Sequence, residues 1–274
     1  MAINIQTNVS SLDAQSRLAS SQKALMGSFA KLSSGFRVNS AADDAAGLAI
    51  SEGMKSQIRS YSVAERNAAD GISMAQTAEG SLGEVHGILG RMRELAMQAS
   101  NGSLSGDDRG YLDKEFSLLK EEVGRIQGST TFNGTKLVGS TAANVTFQVG
   151  LNNASSDQIK VEFGGLNLSS LTSASLAGTA ASSALSSLKT IDDAIKNVSE
   201  SRSNFGSAMN RLQVATSNIQ TMRLNLSAAN SRIVDVDVAE ETSKMSRNQV
   251  LAQAGVSVLA QANQIPQMAL GLLR

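Results

Sequence analysis

Between Met54 and Ala99 apolar residues return at heptad spacing: Met54, Ile58, Tyr61, Ala68, Ile72 and Ala75, then Leu82, Val85, Leu89, Met92, Ala96 and Ala99. A strand would need a period of two, so this stretch reads as one long helix whose apolar seam requires a long partner. Ile195, Val198, Phe205, Met209, Leu212, Ile219 and Leu226 keep the same beat, with Arg202 and Thr216 as polar interruptions. A third, shorter helix follows the turn NGSLSGDD (101–108) and carries Leu112, Phe116, Leu119, Val123 and Ile126. The predicted fold class is mainly α: a long antiparallel coiled-coil helix rod. Aromatics at 3% and the absence of tryptophan agree, because thick layered cores are hard to fill without them. Gly83, Gly87 and Gly90 fall inside the long helix. Each costs about 1 kcal/mol against alanine, so a close backbone approach is expected on their face.

Two interruptions divide the helical pattern. The run SGFRVNS after Lys31-Leu32-Ser33 breaks it, and Ser40 followed by Asp43 resembles a capping box that restarts a helix. A second joint falls at ANSRIVDVDVAEE, where acidic residues gather at the start of the last helix and favour its positive dipole end. Between the helices, TKLV, NVTFQV and IKVEF are short β-like runs bounded by Asn-Gly, Asn-Asn and Gly-Gly, which predicts a small β-hairpin region. The Ser/Ala-rich stretch 169–187 reads as linker or helix start. The expected organisation is 1–40 and 233–274 as two halves of a paired-helix terminal domain, 41–140 and 185–232 as the rod, and 141–184 as the hairpin region.

Both ends are charge-poor. The first charge is Asp13, and NQVLAQAGVSVLAQANQIPQMALGLL (248–273) has none. Seven side-chain amides rule out a spanning helix there, which needs about 20 mostly apolar residues. Leu251, Ala254, Val258, Ala262, Ile265, Ala269 and Leu272 form one stripe, and Leu18, Leu25 and Leu32 another, with Phe29 and Phe36 beside it. Two such helices bury only one seam, so further apolar and amide surface asks for neighbours. Contacts of that kind, repeated between copies without closing, build filaments.

Chemistry is sparse. His86 is the only histidine and there is no cysteine, which leaves no catalytic triad, zinc motif or thiolate, and no phosphate-binding loop occurs. His86 reads as a solvated or packed helix residue. The Asp235-Val-Asp237 pair lacks the glycine and glutamate of a calcium loop and reads as a helix cap. No catalytic, cofactor or metal site is expected, and the enzyme reading is weak. Lys and Arg number 24 and so do Asp and Glu, so nothing draws nucleic acid. The N-terminus has no cleavable secretory signal, which by itself points to the cytoplasm.

The segments INIQTNVSSLDAQ, KLSSGFRVNSAADDAAGLAISEGMKSQIR, GRMRELAMQASNG, TTFNGTKLV and ANQIPQMALGLLR closely resemble bacterial flagellin over about residues 1–140 and 185–274. The resemblance implies a structural subunit that polymerises into the extracellular flagellar filament. It also implies that the two termini form an inner tube, with Leu18, Leu25, Leu32, Leu251, Val258, Leu259, Ile265 and Leu272 packing subunits. Export through the flagellar type III apparatus without a cleaved signal replaces the cytoplasmic expectation. Implied partners are further copies of the chain, an export chaperone on the C-terminal helix, the filament cap and hook-junction proteins, and a Toll-like receptor of animal hosts. By the same resemblance Arg91, Leu95 and Glu115 match the receptor-facing positions. The middle, 141–184, is too short for the large outer domains of some relatives. Two alternatives remain open at this point: a hook–filament junction protein, and a cytoplasmic coiled-coil adaptor.

Overall fold

A computed structural model describes residues 7–177 and 181–272, with side chains described as far as residue 264. In chain order the helices are α1 (Val9–Ser34), α2 (Ala45–Ala99), α3 (Gly106–Ser129), α4 (Ser169–Thr172), α5 (Ser182–Val234) and α6 (Val238–Leu272). Four strands, β1 (Thr131–Phe132), β2 (Thr135–Lys136), β3 (Ala143–Gln148) and β4 (Gln158–Phe163), lie between α3 and α4. The chain divides into two compact units, one made of Gln57–Leu224 and the other of both ends, Met1–Ser56 with Asn225–Arg274. The helix breaks read from sequence, near 37 and 235, both lie within the terminal unit.

The heptads meet in the central unit. Along α2 the buried positions run Ala64, Ala68, Gly71, Ala75, Ala78, Leu82, Val85, Leu89, Met92, Ala96 and Ala99, a strict alternation of four and three. On α5 the same alternation passes through Ile191, Ala194, Val198, Phe205, Ala208, Leu212 and Ile219. Alanines dominate the α2 half of the seam, so the helices lie close with few large side chains between them. Ion pairs Arg93–Asp192 (2.7 Å), Glu79–Arg202 (2.7 Å) and Glu65–Arg223 (2.6 Å) flank the seam and order the two helices antiparallel. Half-exposed pairs of this kind contribute only about 0.2–1 kcal/mol each, so they align the helices and burial holds them.

The glycines correct one expectation. An added Cβ at Gly83, Gly87 or Gly90 would meet nothing within 4 Å, so among the described residues no backbone approaches that face. The glycine that does allow close approach is Gly71, where a Cβ would lie 3.1 Å from Leu212 Cδ1 and from the Phe147 ring. It takes the seam position beside Ile72, which is only half-buried.

α3 starts on a full capping box between Ser105 and Asp108 and returns antiparallel to α2, burying Phe116 and Val123. Arg109, 3% exposed, donates from Nε to Ala99 O (2.8 Å) and from Nη2 to Asn101 O (3.0 Å), capping the end of α2. Asn133 (φ 46) and Gly134 (φ 78) both adopt left-handed backbone in the β1–β2 turn, as an Asn-Gly hairpin requires. β3 and β4 pair antiparallel with Val145 opposite Val161 and Phe147 opposite Ile159. Phe163 stacks on Phe205 of α5 at 5.4 Å, which seats the hairpin on the helices. The Ser/Ala-rich stretch resolves into α4 and the start of α5 at Ser182, with Lys120 Nζ donating to Thr172 O and Ala174 O at 3.2 Å to hold the loop after α4.

Candidate assembly surface

The terminal unit is built around the two joints. Gly35 ends α1 in a left-handed conformation (φ 76), its N–H donating to Lys31 O at 2.9 Å. Ser40 and Asp43 do bond, but they close a turn; Asp44 starts α2, its Oδ1 accepting from Gly47 N at 2.8 Å. The expected cap at Ser40 therefore moves four residues on, to Asp44, because the helix cannot begin until the chain has left that turn. At the other joint Asp237 Oδ1 accepts from Ala239 N (2.9 Å) and caps α6, as the sequence reading expects. A β-bridge between Phe36 and Asp235 ties the joints together, with Arg37 N donating to Val234 O (2.6 Å) and Val236 N to Gly35 O (3.0 Å). The Arg37 guanidinium donates to Ile233 O at 2.6 Å, satisfying a carbonyl in the last turn of α5.

From this clasp α1 and α6 run as an antiparallel pair. Asn8 Nδ2 donates to Ala262 O (2.8 Å) and Ser11 Oγ to Asn263 Oδ1 (2.8 Å) at the far end. The α1 seam is Ser11, Ala14, Leu18, Ser21, Leu25, Ser28 and Leu32, with the three leucines half-buried. The α6 seam is Glu241, Met245, Asn248, Ala252, Gly255, Leu259 and Ala262. A Cβ on Gly255 would lie 3.3 Å from Leu18 Cδ1, so the helices approach closely there.

That seam is not the stripe read from the sequence. Leu251 and Val258 lie one position off it and face outward, 50% and 53% exposed, while Ala262 alone belongs to both. The cause is that α6 carries apolar residues on two adjacent stripes, and packing against α1 uses the one with smaller side chains. Ile265 and Leu272 have side chains outside the described residues. On α1 the outward set is Val9, Leu12, Met26 and Phe29, the last 67% exposed; on α6 Val250 and Val256 join Leu251 and Val258. The seam thus holds Leu18, Leu25, Leu32, Met245 and Leu259 among small and polar residues, while eight further large apolar side chains stand outward, more than a self-sufficient coiled coil leaves exposed.

The other three candidate residues separate. Arg91 Nη2 pairs with Glu115 at 2.9 Å and its Nη1 with Glu94 at 3.0 Å, all three side chains exposed. Glu94 first, then Glu115, holds the Arg91 guanidinium above its ordinary value. Leu95 is 1% exposed, part of the core shared by α2, α3 and α5, because the residue beside the seam is covered where a third helix packs. His86 is half-buried, and its Nδ1 lies buried without a partner. Among the described residues no group of three or more His, Cys, Asp or Glu side chains could hold a metal ion, and no helix is long and apolar enough to cross a membrane.

A thin helical core, a small hairpin region and paired end helices with large apolar side chains turned outward define a structural subunit of an assembly. Residues 5–143 match the family model of the bacterial flagellin N-terminal helical region, and residues 188–273 that of the C-terminal helical region. The chain is 48% identical over 246 residues to a flagellin of Halalkalibacterium halodurans, covering 89% of this chain and 90% of the relative. A crystal structure of Bacillus cereus flagellin aligns with a TM-score of 0.51 at 34% identity, over 60% of this chain and 94% of the other. A putative flagellar hook-associated protein from Vibrio parahaemolyticus aligns at 0.59 over 70% of this chain and 100% of that one, but at 16% identity this shows a shared fold alone. The chain belongs to the bacterial flagellin family, the structural subunits that polymerise into flagellar filaments. Against the two alternatives left open above, the junction protein and the adaptor, the family match favours the filament subunit.

Proposed function

We propose that the chain polymerises through the outward faces of α1 and α6, which pack against the same helices of neighbouring copies to form the inner wall of the filament. The observation that carries this is the set of large apolar side chains that α1 and α6 turn outward, on a helix whose residues 248–272 carry no charge. Leu251 and Val258 contact neighbours directly. Leu18, Leu25, Leu32 and Leu259 hold the pair together from within. The parts 1–40 and 233–274 form the inner tube. Contacts that join different patches of successive copies propagate without closing. Several near-equivalent packings then give the tube a helical shape that turns rotation into thrust.

The chain works outside the cell, exported unfolded through the flagellar type III apparatus. An export chaperone takes α6 by its exposed apolar face, a helix-in-groove mode, and the filament cap and hook-junction proteins adjoin the ends of the polymer. The exposed Arg91–Glu115 pair supports recognition by a Toll-like receptor; Leu95, being buried, supports that site from beneath instead of touching the partner.

The test is negative-stain electron microscopy after salt-induced, seeded assembly of the intact chain beside a variant lacking 1–36 and 237–274. Long tubes from the intact chain alone are expected. Tubes from the truncated variant, or discrete oligomers from the intact one, would overturn the proposal.

A further inference from the structure

Among the described residues three methionines stand more than half exposed: Met26 at 67%, Met97 at 53% and Met222 at 54%. Of these only Met222, on α5, has a hydrogen-bond partner on its sulfur: the Tyr61 hydroxyl of α2 donates to Sδ at 3.4 Å. A thioether is a weak acceptor, so this hydroxyl is left with capacity for a better one. Tyr61 is half-buried and packs on the core, which fixes its ring beside the sulfur. The pair lines a groove of about 240 Å³ with Val149, Asp157, Asn218 and Ile219, roomy enough for a small solute to reach the sulfur. The sulfur carries two lone pairs; Tyr61 takes one, and the other is left for an incoming reagent.

An exposed thioether reacts with peroxides. A sulfur lone pair attacks one peroxide oxygen, the S–O bond forms and the O–O bond breaks. The departing hydroxide takes the proton of the transferred oxygen and leaves as water, so sulfur loses two electrons and the peroxide gains them. Negative charge builds on the departing oxygen and on the new sulfoxide oxygen, and a hydroxyl donor already in contact with the sulfur stabilises it. The product is polar where the thioether was apolar, and reductases return it to the thioether. Nearby, Glu65 pairs with Arg223 at 2.6 Å and accepts from Gln220 Nε2 at 2.8 Å, which holds α2 and α5 in place while the side chain changes.

We propose that Met222 is a reversible oxidation site for peroxides, that Tyr61 directs the reaction to it, and that the sulfoxide, held by the Tyr61 hydroxyl, is a second stable state of this contact. The site is complete in a single chain and does not depend on assembly.

The test is a time course of the unassembled chain in dilute hydrogen peroxide, with oxygen uptake at each methionine read by peptide mass spectrometry. Met222 should react about fivefold faster than the equally exposed Met97, the worth of one ordinary hydrogen bond. Tyr61→Phe should bring Met222 down to the rate of Met97 and leave Met26 and Met97 unchanged, with the buried Met92 still protected as the sign of a folded chain. Equal rates at Met222 and Met97 in the unmodified chain overturn the proposal, whatever the variant does. So does an unchanged Met222 rate in folded Tyr61→Phe. For the second state, Met222→Gln offers Tyr61 a carbonyl oxygen in place of the sulfoxide; its urea midpoint should match that of the unmodified chain and fall when Tyr61→Phe is added. A fall from Met222→Gln alone would remove the second state.

Discussion

Val258→Asp tests the outward face of α6 with little effect on the isolated subunit. Val258 is 53% exposed and lies off the α1–α6 seam, and valine and aspartate have similar helix propensities, so the helix itself loses little. Burying the exposed half of a valine between copies is worth about 1 kcal/mol, from roughly 1.5–3 kcal/mol for a whole side chain. Placing an unpaired carboxylate in that uncharged wall adds several kcal/mol more. At about 1.4 kcal/mol per factor of ten, a total near 4 kcal/mol raises the critical concentration several hundredfold, against about fivefold for Val258→Ala. The assay is sedimentation of seeded assemblies across a concentration series, with circular dichroism of the unassembled chain to show that helicity is kept. Assembly of Val258→Asp at the concentration of the unmodified chain would refute the reasoning. A large loss of helicity would refute the placement of Val258 outside the seam.

Gly87→Ala should stabilise the unassembled chain by up to about 1 kcal/mol, since a Cβ there meets nothing and glycine is a poor interior helix residue; urea unfolding that shows a loss would contradict the open face. The Asp43 and Asp108 carboxyls lie below their ordinary 3.8, held chiefly by side-chain hydrogen bonds from Ser40 and Ser105. Because the folded values are depressed, this stabilisation is complete above the unfolded value and is lost as pH falls through the folded one. The melting temperature should therefore be flat down to about pH 5 and decline below about pH 4, less steeply in Ser105→Ala. An unchanged slope in that variant would remove Asp108 from the account.

The long helices were legible because their seams are single and strict: Leu82, Val85, Leu89 and Met92 leave one reading. α6 was misread by one position because Leu251/Val258 and Ala252/Gly255 are adjacent stripes, and periodicity alone does not say which of them the partner takes. Nor does it locate a third helix, so the burial of Leu95 was invisible while the heptad beside it was plain. The glycines teach the same lesson. Gly83, Gly87 and Gly90 stood out by spacing, yet Gly71 is the one that a neighbouring ring and leucine require, and only tertiary contact marks it. Arg109 carried no sequence signal; a charged residue at the start of an amphipathic helix looks solvated until the carbonyls it caps are known.

The pairing of α1 with α6 also bears on the order of folding. The Asn8–Ala262 bond joins residues 254 apart, whereas the central unit closes on itself without either end. Once Tyr61 meets Met222, 161 residues drop out of the loop that the ends must close, easing that closure by about 1 kcal/mol. The middle can therefore fold early and alone, and the end pair forms only when the last helix is present. A prematurely terminated chain would fold its middle but leave α1 without its mate, so the pair works as a proof of completeness: a subunit cut short lacks the surface that would admit it to the polymer.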